Sequence, residues 1–209
     1  MTDTAKRTRK LTQLGLLAAL VILFGYLPLK IGAIEMTLMM IPVTLGAILV
    51  GPLTGGILGG LFGLISFLQC FGALGFPAST FGNFVFGLNP AATVFMCFVP
   101  RILMGAAVGW IFRGLEKIDK THFISYLVSN VSGALLNTVL FMGSLIIFFW
   151  HDAAFLAQMN EWGLSTDKLG AFLVAFVGVN GIVEAAVCAV VGTAVSKGVN
   201  VAMKKMRKN

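Results

Sequence analysis

Apolar residues run along this chain in long blocks, with the polar residues collected between them. The blocks extend from Leu11 to Leu29, Thr37 to Val50, Leu53 to Phe71, Ala91 to Phe112, Phe123 to Trp150 and Lys168 to Lys197. A helix needs about 20 apolar residues to cross a bilayer. The second block is short by that measure, and Pro42 inside it predicts a tilted or bent segment. A polar turn is expected from Lys30 to Glu35. The stretch from Gly72 to Pro90, rich in Gly, Asn, Ser and Phe, is expected as a long structured loop at the membrane surface. A further loop holds His151, Asp152, Glu161, Trp162 and Asp167. The pattern predicts an all-α membrane protein of six transmembrane helices, forming one domain over residues 1–209.

Charge adds an orientation. Of the 15 Lys and Arg residues, twelve lie at the N-terminus (Lys6, Arg7, Arg9, Lys10), in one internal loop (Arg113, Lys117, Lys120) and at the C-terminus (Lys197, Lys204, Lys205, Arg207, Lys208). Cytoplasmic loops collect Lys and Arg. Six spans place all three clusters inside, with both termini cytoplasmic and the loops around Glu35, Phe81 and Glu161 outside. The chain is 58% hydrophobic and 11% charged, which excludes a soluble domain. The net charge of +7 reads as topology; no nucleic-acid partner is expected, because the basic residues flank spans and do not form one face. The first block has a basic flank like a signal peptide but no small-residue cleavage site, and is expected as a retained span. Cys70, Cys97 and Cys188 lie in apolar segments without metal-ligand spacing and are expected as buried inert thiols.

Small residues recur at helical spacing. Gly51, Gly55, Gly59 and Gly63 come every four residues, with Gly56 and Gly60 beside them. Such a run weakens a helix unless it permits close approach of another. In the first span Gly15, Ala18 and Ala19 form a second small patch, suited to packing within the chain or to docking a second membrane protein.

Polar groups inside spans are expensive and therefore mark candidate sites. Arg101 and Glu184 are the ionisable ones. Counting helix rise from the outer ends puts Arg101 ~16 Å deep, Asn180 ~18 Å and Asn137 ~20 Å, on three different spans. Glu184 lies one turn beyond Asn180 on the same face. Pro100 cannot donate to the Met96 carbonyl, so an acceptor is expected to be left free there. Arg101 with Glu184 could form a structural ion pair, and Asn130 with Asn137 interhelical hydrogen bonds. Alternatively, Arg101, Asn137, Asn180 and Glu184 line a pocket for a small polar solute, with the Arg fork suited to a carboxylate or phosphate. The aromatic loop around Phe81 and Asn83 would be a lid over it or an interfacial belt. No Ser–His or paired-Asp arrangement, metal-binding cluster or P-loop pattern is present in the sequence. No enzymatic activity, metal or cofactor is expected.

The chain resembles the substrate-binding (S) subunits of bacterial energy-coupling factor (ECF) transporters. The resemblance rests on the six-span pattern with basic termini, on "KLTQLGLLAA" from Lys10 to Ala19, on "GPLTGGILGGLFGLIS" opening the third span and on "VPRILMGAAVGWIFR" in the fourth. Within that family "NPAATVFMCFVPRILMG" and "GALLNTVLFMGS" look most like the pantothenate group. The resemblance implies capture of a vitamin or precursor outside a bacterial plasma membrane, and assembly with a transmembrane coupling subunit and two cytoplasmic ATPase subunits that supply the ATP hydrolysis. It implies coupling-subunit contact at Gly15, Ala18 and Ala19, where Gly15 departs from the family's alanine-rich version. It also implies a pocket in the outer halves of spans four to six and nearby loops, into which Gln69, Asn83, Arg101, Asn137, Asn180 and Glu184 fit. The alternatives are a subunit for another vitamin such as riboflavin, folate or pyridoxine, a structural or assembly protein without a ligand, and a self-sufficient channel or carrier.

Overall fold

The structure is a computed structural model that describes residues 3–27, 29–31, 34–36, 38–119 and 123–206. It is predominantly helical. Helix α1 (Asp3–Gly25) is followed by a short antiparallel hairpin, β1 (Leu29–Ile31) and β2 (Ile34–Met36), with Lys30 paired to Glu35. Then come α2 (Met40–Leu49), α3 (Pro52–Gln69), a 3-10 turn at Ala73–Gly75, α4 (Thr80–Leu88), α5 (Pro90–Glu116), α6 (Phe123–Phe149) and α7 (Ala153–Glu161). Helix α8 (Leu169–Val187) passes through a π-helical turn at Cys188–Gly192 into α9 (Thr193–Met206).

Five segments are long and apolar enough to cross a membrane: Arg7–Gly25, Pro52–Gln69, Pro90–Glu116, Phe123–Phe149 and Gly181–Val199. The protein is membrane-embedded, and its outward apolar side chains, such as Leu53 at 79% and Ile147 at 74% exposure, face where lipid would be. Helix α2 is as short as the second block predicts. Its ten residues rise about 15 Å, and every residue from Met40 to Ile48 is buried. It is a central strut, touching α1, α3, α5, α6 and α9. Pro42 does not bend it, because it lies in the first turn, where no donor is missed. The expected sixth block is divided. Backbone geometry is non-helical at Gly178, which leaves the shorter apolar segment Leu169–Gly178 apart from the long one beginning at Gly181.

Lipid tails are as apolar as leucine, so close packing and hydrogen bonds, more than burial of oily surface, hold such a bundle together. The glycine run supplies the packing. A Cβ on Gly59 would strike the Arg101 carbonyl, and a Cβ on Gly55 or Gly105 would strike the carbonyl of the other. One on Gly63 would lie 2.6 Å from the Cys97 oxygen. The backbones of α3 and α5 therefore touch directly. Gly56 and Gly60 have ordinary clearance.

Asn130 supplies a polar junction between helices. Its Oδ1 accepts from Thr44 Oγ1 at 2.8 Å, and its Nδ2 donates to the Tyr126 carbonyl at 2.9 Å and to Ser196 Oγ at 3.3 Å. It thus ties α2 and α9 to α6, with Gly192 flat against its amide. On α1, Leu17 and Val21 are buried and Ala18 packs against the core. Gly15 and Ala19 are exposed, and nothing lies within 4 Å of a Cβ built on Gly15. That part of the small-residue patch is not used for packing within the chain.

The expected loop from Gly72 to Pro90 is largely helical. Ser79 Oγ accepts from Gly82 N at 3.1 Å to start α4. Asn89 Oδ1 accepts from Ala92 N at 3.0 Å to start α5, with Pro90 in its first turn. The loop after α6 is also helical, because Asp152 Oδ1 accepts from Ala154 N and Phe155 N. These caps stop and restart the chain so that α4 and α7 lie over one end of the bundle. Phe84 meets Trp162 and Phe155 at 5.8 and 6.5 Å between ring centroids, and Phe81 meets Phe176 at 5.4 Å.

Candidate functional site

Beneath α4 lies a cavity of about 170 Å³, walled by α3, α4, α5, α6 and α8. Each helix contributes a stripe at helical spacing. Phe62, Ser66 and Gln69 come from α3, and Thr93, Cys97 and Arg101 from α5. Asn137, Thr138 and Phe141 come from α6, and Val177, Gly181 and Glu184 from α8, while Phe81 and Val85 of α4 form the roof. The walls are mostly apolar and aromatic, with a few polar groups converging on one space. That is the composition of a small-molecule site.

Arg101 is held by the break that Pro100 makes in the hydrogen-bond ladder. The proline ring cannot donate to the Met96 carbonyl, and Arg101 Nη1 donates to it instead. Helix α5 therefore runs on through Pro100 without losing that acceptor, and the guanidinium is folded back toward the roof. Its carbon lies 5.0 Å from the Phe141 ring centre and 5.5 Å from that of Phe62, so two aromatic faces help to offset its removal from water. Its Nε is buried without a partner. On the facing helix Asn137 Oδ1 is likewise buried without a partner. An unmatched buried donor and an unmatched buried acceptor on one cavity are costly to the empty protein. A ligand carrying both an anion and a hydrogen-bond donor would satisfy them together. Glu184 lines the same space, near enough for its carboxylate to attract the guanidinium.

The other candidates divide. Gln69 lines the cavity while its Nε2 donates to the Gly25 carbonyl at 3.0 Å, which ties the end of α1 to the pocket wall. Asn83 is exposed and is not among the lining residues. Its Nδ2 donates to the Cys70 carbonyl at 3.1 Å and fastens α4 to the end of α3. Asn180 is on α8 one turn before Glu184, but its side chain lies outside the described residues. Ser66, Thr93, Thr138 and the thiols Cys70 and Cys97 also line the cavity, and sequence reasoning did not single them out for it. The four-residue spacing of Thr93, Cys97 and Arg101 was the available signal.

A family model described as "ECF transporter, substrate-specific component" matches residues 9–196. The chain belongs to that family. It is 30% identical over 174 residues to the pantothenate transporter PanT of Leuconostoc mesenteroides subsp. mesenteroides, covering 81% of this chain and 78% of that one. It is 28% identical over 166 residues to the pantothenic acid transporter PanT of Lactococcus lactis subsp. cremoris, covering 78% and 76%. As an ECF substrate-specific component it is a membrane-embedded transport subunit for a vitamin-like solute, working with an energy-coupling module, and is not itself an enzyme.

Proposed function

We propose that this S component captures pantothenate at the cavity under α4. The observation that carries the proposal is the pairing of Arg101 Nε and Asn137 Oδ1, both buried, both unmatched, and both on one small apolar cavity. Pantothenate offers a carboxylate to the guanidinium, and hydroxyl and amide donors to Asn137 and Glu184. Arg101 would anchor the anion, because a guanidinium fork matches a carboxylate. Asn137, Asn180, Glu184 and Gln69 would read the remaining polar groups, and Phe81 and Phe141 would pack the apolar backbone of the solute. The volume of about 170 Å³ lies below the roughly 300–1,000 Å³ of drug-sized pockets. That suits a compact open-chain acid better than the ring systems of riboflavin or folate. The names of the two curated relatives support the same solute.

The proposal includes topology and partners. The basic clusters support six crossings, with the short α2 as the second, both termini cytoplasmic and the cavity opening outward under the α4 roof. The solute would enter when α4 swings off the aromatic contacts to Trp162 and Phe176. The exposed Gly15 and Ala19, beside Ala18, would seat the coupling subunit, which joins the chain to two cytoplasmic ATPase subunits in the bacterial plasma membrane.

The test is a thermal-unfolding panel on the detergent-purified chain with pantothenate, riboflavin, folate, thiamine, biotin, niacin and pyridoxine. Pantothenate alone should raise the midpoint, since a ligand at 100 times its dissociation constant adds about 2.7 kcal/mol. A rise with another vitamin and none with pantothenate would overturn the substrate. No response from folded protein to any of them would overturn the cavity as a site for these vitamins.

A further inference from the structure

We propose that a groove between the start of α6 and the face of α9 is a binding site for an anionic phospholipid. One acyl chain would lie in the trough, with the phosphate at Lys197. This site is separate from the solute cavity and independent of which solute that cavity holds.

The groove encloses about 620 Å³ and opens to the outside of the bundle. Phe123 and Leu127, one turn apart on α6, make one wall. Opposite them lie Ala189 and Val190 of the π-helical turn and the small Ala194 and Gly198 of α9. The result is an apolar trough on the outer face of the bundle, with a volume that would accept a hydrocarbon chain.

Its polar groups are arranged in order of depth. Lys197 stands at one end, exposed, with its ammonium 5.1 Å from the centre of the Phe123 ring. That cation–π contact holds the charge at the groove mouth. One turn deeper, about 6 Å along the helix, Thr193 also lines the groove. It is only 4% exposed, and its hydroxyl has no hydrogen-bond partner within the protein. In a phospholipid the ester carbonyls lie beneath the phosphate toward the chains. A lipid placed with its phosphate at Lys197 therefore brings an ester carbonyl to the Thr193 hydroxyl, and its chain to the Ala189–Ala194 floor.

Charge selects the headgroup class. Basic pockets between membrane helices on the cytoplasmic side favour anionic lipids. In the sequence Lys117 and Lys120 precede α6, and Lys204 follows Lys197 by seven residues. The nearby acid, Asp119, is occupied: its Oδ2 accepts from Ser125 N at 2.8 Å and from Ser125 Oγ at 3.1 Å. A zwitterionic lipid would fill the trough equally well but would gain less from the ammonium of Lys197.

The experiment is native mass spectrometry of the full, delipidated chain given equal amounts of phosphatidylglycerol and phosphatidylcholine of the same acyl composition. The wild type should retain the anionic lipid several-fold more. Lys197→Gln should bring the ratio near one, and Lys197→Arg should restore it. Ala194→Phe, which fills the trough, should reduce retention of both lipids. Lys10→Gln, in the other basic cluster, should leave the ratio unchanged. Equal retention by the wild type would overturn the proposal. So would an unchanged ratio in Lys197→Gln, or the same loss in Lys10→Gln. If Ala194→Phe keeps its lipid but no longer assembles with the coupling module, the groove seats a protein helix and the proposal fails.

Discussion

Replacing Asn137 by Leu separates a binding residue from a structural one. In the empty protein Asn137 Oδ1 is buried on the cavity wall with no partner. A buried acceptor left unmade costs about 1–3 kcal/mol. Leucine has similar bulk and no acceptor, so the solute-free variant should be as stable as the wild type or gain up to that amount. The bound state should move the other way. The solute loses a hydrogen bond and keeps a buried donor with nothing to meet it, a penalty of about 1–3 kcal/mol. At 1.4 kcal/mol per factor of ten, affinity should fall by roughly 5- to 150-fold. Isothermal titration of the detergent-purified variant measures the affinity, and unfolding of the solute-free protein measures stability. A clear loss of solute-free stability with affinity unchanged would refute the reasoning and make Asn137 an interhelical tie.

Four further outcomes follow from the packing. Gly59→Ala should destabilise the bundle by about 1–3 kcal/mol or more, because its methyl meets the Arg101 backbone, which cannot yield as a side chain can. Gly60→Ala, whose nearest neighbour is Ile102 Cγ1 at 3.7 Å, should be neutral or stabilising by about 0.5–1 kcal/mol; paired unfolding curves would show both. Asn130→Ala should lower stability by about 1–3 kcal/mol by removing its hydrogen bonds with Thr44 and Ser196, while solute affinity stays within twofold by titration. Gly15 is exposed, and a Cβ there has no neighbour within 4 Å among the described residues, so Gly15→Leu should leave folding and solute binding unchanged but impair co-purification with the coupling subunit.

Much of this was legible in the sequence because bilayer physics is strict. Backbone groups in lipid must be satisfied within their own segment, so long apolar blocks could only be helices, and the ends predicted for the fourth and fifth blocks lie within a few residues of α5 and α6. The glycine period disclosed a close helix approach, without naming α5 as the partner, and the Pro100–Arg101 pair disclosed a freed carbonyl. What the sequence did not disclose was that the arginine next door would take that carbonyl.

Other features were hidden for stated physical reasons. The composition of residues 72–90 suggested a loop, but Ser79 and Asn89 are helix caps, and the nine residues between them form a short helix. The second block read only as a short span, because hydropathy does not distinguish lipid contact from burial by other helices, and other helices surround α2. The break at Gly178 and the π turn before Thr193 leave no periodic signal in the sequence. In the cavity, Arg101, Asn137 and Glu184 were visible because charge and amide stand out in an apolar span. Thr93, Cys97 and Thr138 were not, since small polar residues are common in membrane helices. Asn83 looked suited to the pocket by its loop, yet it faces outward and ties α4 down.

The most direct measurement is calorimetric titration of the purified chain with pantothenate and with its alcohol analogue, in which the carboxylate is replaced by a hydroxymethyl group, repeated on Arg101→Gln. If the guanidinium anchors the anion, the wild type should bind pantothenate at least tenfold more tightly than the alcohol, and Arg101→Gln should bind the two alike and weakly. Equal binding of acid and alcohol by the wild type, or undiminished preference for the acid in Arg101→Gln, would contradict the assignment of this cavity as a carboxylate-binding vitamin site.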